Sequence, residues 1–108
     1  MERAILVYTT YPSLVEAEKA GRALVERRLA ACVNILPGMV SHYWWGGKCE
    51  RGEEVVMILK TRAALAENLR AAVKASHPYT TPAILTLAPE HVEEGYLRWI
   101  LAETGTAG

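Results

Sequence analysis

The stretch that decides the fold is ACVNILPGMVSHYWWGGKCERGEEVVMILKT, residues 31–61. Two short apolar runs rich in β-branched residues, 32–36 and 55–59, predict strands, because each is too short for a buried helix. Between them, Gly46-Gly47 supplies the positive φ angles of a two-residue type I′ turn. The stretch therefore predicts one long β-hairpin.

The tip of this hairpin carries two adjacent tryptophans. A turn at the glycines places Trp45 opposite Lys48, and Trp44 and Trp45 then point to opposite faces. One small core cannot cover both, so we expect the hairpin to reach another subunit. Pro37-Gly38 predicts a kink in the first arm. The length of the hairpin separates Cys32 from Cys49 beyond disulfide reach, which predicts two free thiols.

The flanking sequence predicts alternating strands and helices. The predicted elements around the hairpin are a strand from Ala4 to Thr9, a helix from Leu14 to about Leu29, a helix from about Ala63 to Ser76, a strand from Ala83 to Leu87 and a helix from about Val92 to Glu103. The first six elements give the order β-α-β-β-α-β. This order predicts an α+β, ferredoxin-like split βαβ fold, an antiparallel sheet with helices on one face. Because the strands are apolar on both faces, we expect other copies of the chain to cover the second face.

Composition indicates one small domain with no strong electric field. A single ferredoxin-like domain is predicted over 1–104, with a flexible tail over 105–108. Twelve basic residues balance twelve acidic ones, so no nucleic-acid partner is expected. No apolar run could span a bilayer and no signal peptide is evident, which predicts a cytoplasmic protein. All acidic residues are glutamate and arginine exceeds lysine, a bias typical of thermostable proteins.

Several motifs together resemble one family. They are Ala31-Cys32-Val33-Asn34-Ile35, Pro37-Gly38, Ser41, Tyr43, Trp45, Gly47, Lys60-Thr61, His77-Pro78-Tyr79, Pro82 and Tyr96-Leu97-Arg98-Trp99-Ile100. In this order the motifs resemble the CutA1 divalent-cation tolerance family over nearly the whole chain. The resemblance implies a homotrimer of ferredoxin-like subunits, associated with tolerance of divalent metals such as copper.

The residues that could bind metal form no local motif. The candidates are Cys32, Cys49, His42, His77 and His91, none of them at metal-binding spacing. The resemblance implies a copper ligand at His77 alone, because the other positions where relatives place ligands hold Thr9 and Ser76. We expect His42 and Cys49 to face opposite sides of the hairpin. The sequence therefore predicts no required cofactor and, at most, weak binding of a divalent cation such as copper.

A second candidate site combines aromatic and polar side chains. Its members are Ser41, Tyr43, Trp44, Trp45, Lys60 and Tyr79. Ser41, Tyr43 and Trp45 share one strand face. One interpretation is that they form, with Lys60, a site for a planar or anionic molecule between subunits. The other, which the enrichment of aromatic residues at interfaces favours, is that they are interface anchors. In most members of the family that this chain resembles, the loop after the second predicted helix, which begins at His77, carries glutamates at the positions of Thr80 and Ala83.

Catalytic motifs are missing from the sequence. The absence of aspartate excludes a Ser-His-Asp triad, and no phosphate-binding glycine motif occurs. Glu53 and Glu54 are adjacent on a strand, so they face opposite ways and cannot act as an acid–base pair. We therefore expect a protein that is not an enzyme. The alternative function is a PII-like signalling trimer that binds an effector between subunits, but such proteins carry a long loop where this chain has only Gly46-Gly47.

Overall fold

A computed structural model describes residues 1–105 of the chain, so the predicted tail lies outside the described residues apart from Gly105. The elements are β1 (Ala4–Tyr11), α1 (Leu14–Glu26), β2 (Cys32–Trp45), β3 (Lys48–Arg62), a 3₁₀ turn (Ala63–Leu65), α2 (Ala66–Ser76), β4 (Ile84–Leu87) and α3 (Glu94–Glu103). The strands form one antiparallel sheet in the order β2-β3-β1-β4. This arrangement confirms the predicted ferredoxin-like fold.

The hairpin of β2 and β3 has the predicted turn and register. Trp45 pairs with Lys48 and Trp44 with Cys49. Gly46 and Gly47 have φ angles of 58° and 79°, as a type I′ turn requires. Both cysteines are free thiols, near opposite ends of the hairpin.

The predicted kink is a break in the pairing of β2. The register with β3 shifts between Leu36 and Met39, and Gly38 adopts a φ of 84°. Because the shift adds one residue to β2, Met39 lies on the same face as Leu36. The kink therefore determines which residues in the outer part of β2 share a face of the sheet with residues in its inner part.

Helix α1 starts as predicted and ends earlier. The Ser13 hydroxyl accepts a hydrogen bond from the Glu16 amide at 3.2 Å, which caps the first turn. The helix ends at Glu26 instead of Leu29, because Arg28 adopts the left-handed region with a φ of 62°. The Leu29 amide then donates to the Leu24 carbonyl and closes the last turn.

Helix α1 packs closely on the sheet. A Cβ atom at Gly21 would lie 2.8 Å from the Met57 Sδ and 2.9 Å from a Val33 methyl, so the missing side chain permits this approach. Met57, together with Leu24, Leu59, Leu69 and Val73, belongs to the main core between the sheet and helices α1 and α2. Burial of these side chains is the main source of stability for the domain.

The remaining boundaries differ from the prediction by one to three residues. The predicted second helix begins with the 3₁₀ turn, and His77 ends it with an extended backbone, as Pro78 requires. Strand β4 begins at Ile84 instead of Ala83. Helix α3 begins at Glu94, because the Glu93 carboxylate caps it by accepting from the Tyr96 amide at 3.0 Å.

The position of α3 corrects the prediction that all helices lie on one face. The Tyr96 hydroxyl contacts Lys60 and Cys32, which pair across β3 and β2 on the face opposite the main core. Ile100 packs with Ala4 and Ala31 in a second, smaller core. Helix α3 therefore covers one end of the second face, which the strand pattern could not reveal.

The rest of that second face, which we call the open face, retains exposed apolar side chains. Leu36, Leu85 and Leu87 are each about half exposed, at 49%, 49% and 47%. At the hairpin tip, Trp44 and Trp45 are 76% and 66% exposed. Within residues 1–105, no helix is long and apolar enough to cross a membrane.

Candidate functional site

A carboxylate on the open face gathers three hydroxyl groups. The Glu54 carboxylate accepts hydrogen bonds from Thr10 and Tyr79 at 3.0 Å each and from Ser41 at 3.3 Å. We call these four residues the Glu54 cluster. They come from β1, β2, β3 and the loop after α2, so the cluster joins four segments of the chain. Charge-assisted hydrogen bonds of this kind are stronger than neutral ones and hold the loop against the sheet.

Three predicted site residues lie in or beside this cluster on the same face: Ser41 and Tyr79 belong to it, and Tyr43 lies beside it. Burial, followed by the hydrogen bond to Glu54, raises the pKa of Tyr79 to about 12. The Tyr43 ring lies against Gly52, the cross-strand partner of Ser41, where a Cβ atom would be 3.3 Å away. The structure thus brings Ser41, Tyr43 and Tyr79 together near Glu54. Ser41 and Tyr79 donate hydrogen bonds to its carboxylate, and Tyr43 contributes an aromatic ring beside it.

His77 lies beside the cluster, with both ring nitrogens in use. Its Nε2 lies 2.8 Å from the Thr10 carbonyl oxygen and 3.2 Å from the Thr9 hydroxyl. Its Nδ1 accepts from the Tyr79 amide at 3.1 Å. Because an amide N–H needs a lone pair on Nδ1, these contacts select the neutral ring with its proton on Nε2. The ring also stacks on Tyr11 at 4.5 Å.

The surroundings of His77 also disfavour its charged form. Burial lowers the pKa of His77, and the Thr10 carbonyl and the negative charges of Glu16 and Glu54 oppose that effect. Protonation would place a second N–H against the Tyr79 amide. The ring is therefore a neutral hydrogen-bonding bridge between β1 and the loop.

The donor set does not fit a resident metal ion. Among residues 1–105, no three His, Cys or Glu side chains are grouped closely enough to hold a metal. His77 is a single imidazole, and both of its nitrogens already have partners within the chain. A cation at His77 would first have to displace the Tyr79 amide or the Thr10 carbonyl.

The hairpin tip also departs from one expectation about metal ligands. His42 pairs with Arg51, and Cys49 pairs with Trp44, so His42 and Cys49 lie on the same face. The expectation of opposite faces was wrong. Residues directly opposite each other on paired strands share a face, and Arg51, the partner of His42, is two residues from Cys49 on β3. His42 and Cys49 are diagonal neighbours, and the Arg51 guanidinium turns to Glu53 at 3.1 Å.

Lys60 lies apart from the other predicted site residues within one chain. Its ammonium group donates to the Tyr96 hydroxyl at 3.0 Å, and this hydrogen bond is the main factor that raises the pKa of Lys60. The Cys32 sulfur lies 3.6 Å from the same hydroxyl. Trp45 is at the hairpin tip, on the same face as Tyr43, and Trp44 is on the other face. A pocket that combines Lys60 with Tyr43 and Trp45 would need a second subunit, and it stays a prediction.

Sequence reasoning missed the central residue of the site. Glu53 and Glu54 do face opposite ways, since they pair with Val40 and Met39. The sequence argument excludes an acid–base pair of Glu53 and Glu54 but says nothing about Glu54 by itself. The available signal was its strand parity: Glu54 lies two residues from Gly52, the partner of Ser41, and so on the same face as Ser41. The contacts of Tyr79 and Thr10 with Glu54 depend on the path of the loop, which the sequence does not specify.

Known proteins are similar to this chain in sequence and fold over almost its entire length. Residues 5–103 match the sequence model of the family described as CutA1 divalent ion tolerance protein. The divalent-cation tolerance protein CutA of Pyrococcus horikoshii is 45% identical over 100 residues, covering 93% of this chain and 97% of that protein. The protein of the same name from Archaeoglobus fulgidus is 47% identical over 94 residues, covering 87% and 91%.

A solved structure of a related protein has the same fold as this chain. The crystal structure of divalent ion tolerance protein CutA1 from Ehrlichia chaffeensis superposes with a TM-score of 0.93 at 33% identity. The alignment covers 97% of this chain and 98% of that chain.

Proposed function

The chain belongs to the CutA1 divalent ion tolerance family, and on this premise we propose that it acts in the cellular tolerance of divalent metal ions such as copper. The observation that carries the proposal is the match to relatives named for divalent-cation tolerance over nearly their full length. We propose a cytoplasmic protein without enzymatic activity.

The proposed working form is a homotrimer. Support comes from the apolar side chains that one subunit leaves exposed, at the hairpin tip and along the open face. A tryptophan that is three-quarters exposed forgoes most of the free energy its burial would supply. Neighbouring subunits would cover Trp44 and Trp45. The same interface would bring Tyr43 of one subunit close to Lys60 of another, beside the Glu54 cluster.

Metal contact is proposed to be weak and transient. The predicted ligand is His77, whose internal hydrogen bonds compete with any cation. We therefore expect Cu(II) to bind metal-stripped protein with a dissociation constant weaker than about 1 μM. Isothermal titration calorimetry measures this constant, and His77→Ala should abolish the saturable heat.

His91→Ala is the matched control, because His91 is an exposed histidine on the loop before α3. Its removal should leave the titration unchanged. Submicromolar binding, or saturable binding that survives His77→Ala, would contradict a weak contact at His77.

The PII-like alternative has one structural observation against it. Only Gly46 and Gly47 connect β2 to β3, so no long mobile loop extends from the hairpin to contact a partner. The Glu54 cluster could still serve an effector between subunits, but its carboxylate already accepts three hydrogen bonds. The metal-tolerance role is therefore the better supported proposal.

A further inference from the structure

A groove runs between α1 and α2, on the side of the sheet away from the open face. Its volume is about 540 Å³, within the range of roughly 300–1,000 Å³ typical of small-molecule sites. Alanines from both helices line it, Ala20 and Ala23 on α1 and Ala72 and Ala75 on α2. Such short side chains leave a gap between the helices that larger residues would fill.

Tyr11, which also lines the groove, has a buried hydroxyl group without a partner. Tyr11, the last residue of β1, is 1% exposed and packs in the main core. Among the described residues, its hydroxyl makes no hydrogen bond. A buried hydroxyl without a partner is costly, so native structures rarely keep one without a reason. Burial raises the pKa of Tyr11 to about 12, so the phenol is a permanent hydrogen-bond donor at neutral pH.

The rim of the groove is positively charged. Lys19 and Arg27 line it from α1, and neither forms a salt bridge within residues 1–105. Glu16 also lines the groove, and its carboxylate accepts a hydrogen bond from Ser13 at the helix cap. Two cations and one carboxylate leave a net positive charge at the rim, which favours a negatively charged occupant.

We propose that the α1–α2 groove binds a small organic carboxylate with an apolar body and a further oxygen acceptor. The apolar body lies against the alanines, the carboxylate meets Lys19 and Arg27, and the second oxygen accepts from the Tyr11 hydroxyl. Because that hydroxyl is closed to solvent, binding parts the two helices slightly. The groove lies on the face of the sheet opposite Glu54, and the proposal does not rest on the role in metal tolerance, although the Tyr11 ring also stacks on His77.

Matched probes test the hydrogen bond to Tyr11. The probes are 4-acetylbenzoate, which carries the acceptor, and 4-isopropenylbenzoate, which has the same shape with a methylene in place of the oxygen. Titrations followed by NMR should show that the wild-type protein prefers 4-acetylbenzoate by about fivefold, the effect of one neutral hydrogen bond. Tyr11→Phe should abolish that preference. No saturable binding of 4-acetylbenzoate, or a preference that survives Tyr11→Phe, would overturn the proposal.

Charge variants test the rim. Lys19→Gln should weaken binding of 4-acetylbenzoate, and Lys74→Gln should not, because Lys74 lies on α2 outside the groove. The neutral probe 4-acetylbenzamide should bind more weakly than the carboxylate. Equal effects of the two lysine variants would overturn the assignment of the carboxylate to this rim.

A measurement without any probe tests the unpaired hydroxyl itself. Tyr11→Phe should raise the melting temperature of the free protein, since it removes a buried donor that has no partner. Tyr79→Phe is the contrasting variant, and it should lower the melting temperature because its hydroxyl donates to Glu54. A lower melting temperature for Tyr11→Phe would show that the hydroxyl has a partner within the protein, which would overturn the proposal.

Discussion

At the level of single residues, His77 and Glu54 each hold the loop after α2 to the sheet. His77 bridges the Thr10 carbonyl and the Tyr79 amide, and Glu54 accepts from the Tyr79 hydroxyl. The same tyrosine is therefore fixed at its backbone and at its side-chain tip. This double attachment explains why a loop with two prolines lies in one position beside β1.

The neutral state of His77 makes stability depend on pH. Burial lowers the pKa of His77 in the folded protein. At a pH below the ordinary pKa of histidine, the unfolded chain therefore binds a proton at this residue more readily than the folded protein does. The contribution of His77 is complete above a pH of about 6.5 and is lost as the pH falls toward the lowered folded value. We expect the melting temperature to fall more steeply between about pH 7 and pH 5 than in His77→Gln.

His77→Gln is the appropriate comparison, since glutamine keeps a donor and an acceptor but does not titrate in this range. Thermal melts of both proteins at several pH values and one protein concentration measure the difference. Parallel curves for the two proteins would show that His77 has the same proton affinity folded and unfolded.

At the level of elements, the hairpin depends on glycine at two positions of its turn. Gly46 and Gly47 have φ angles of 58° and 79°, which residues with a side chain adopt at a cost. We expect Gly47→Val to lower the free energy of unfolding by about 1–2 kcal/mol. Chemical denaturation at fixed protein concentration measures this change.

Gly46→Asn is the control for the turn. Asparagine tolerates the left-handed region, and Asn-Gly is the preferred sequence of a type I′ turn. The variant should therefore be nearly as stable as the wild type. Equal losses for the two variants would mean that the turn geometry does not limit the stability of the hairpin.

At the level of the whole molecule, apolar surface is concentrated on one side and at one tip. Helices α1 and α2 cover one face of the sheet, and α3 covers one end of the other. What is left includes the half-exposed leucines of the open face and the two tryptophans of the hairpin. A monomer with this surface would tend to associate, which supports the proposed trimer.

Removing the tip aromatics should weaken that assembly. We expect Trp44→Ala combined with Trp45→Ala to lower the mass measured by light scattering from that of a trimer and to lower the melting temperature. The lost contacts would be those of side chains that a single subunit leaves mostly exposed. Val15→Ala is the control, because Val15 is an exposed apolar residue of α1, 75% accessible, that lies near Val33 and Ile35 at the base of the hairpin instead of at its tip. An unchanged mass for the tryptophan variant would contradict the interface role.

The order of elements, the hairpin register and the kink at Pro37-Gly38 were determined by the sequence alone. Each depends on neighbouring residues, such as a turn that needs glycine or a proline that lacks a hydrogen-bond donor. Local rules suffice because the interacting groups are close along the chain. For the same reason, the position of His77 at the end of α2 could be predicted.

Only the tertiary structure decided where distant groups meet. The placement of α3 on the second face, the contact of Lys60 with Tyr96, the Glu54 cluster and the unpaired Tyr11 hydroxyl all join residues from separate segments. No periodicity records such contacts, because they depend on the path of loops and on which face a helix reaches after leaving the sheet. The chemistry of this protein depends on those long-range contacts, since the burial and hydrogen bonding of each group follow from them.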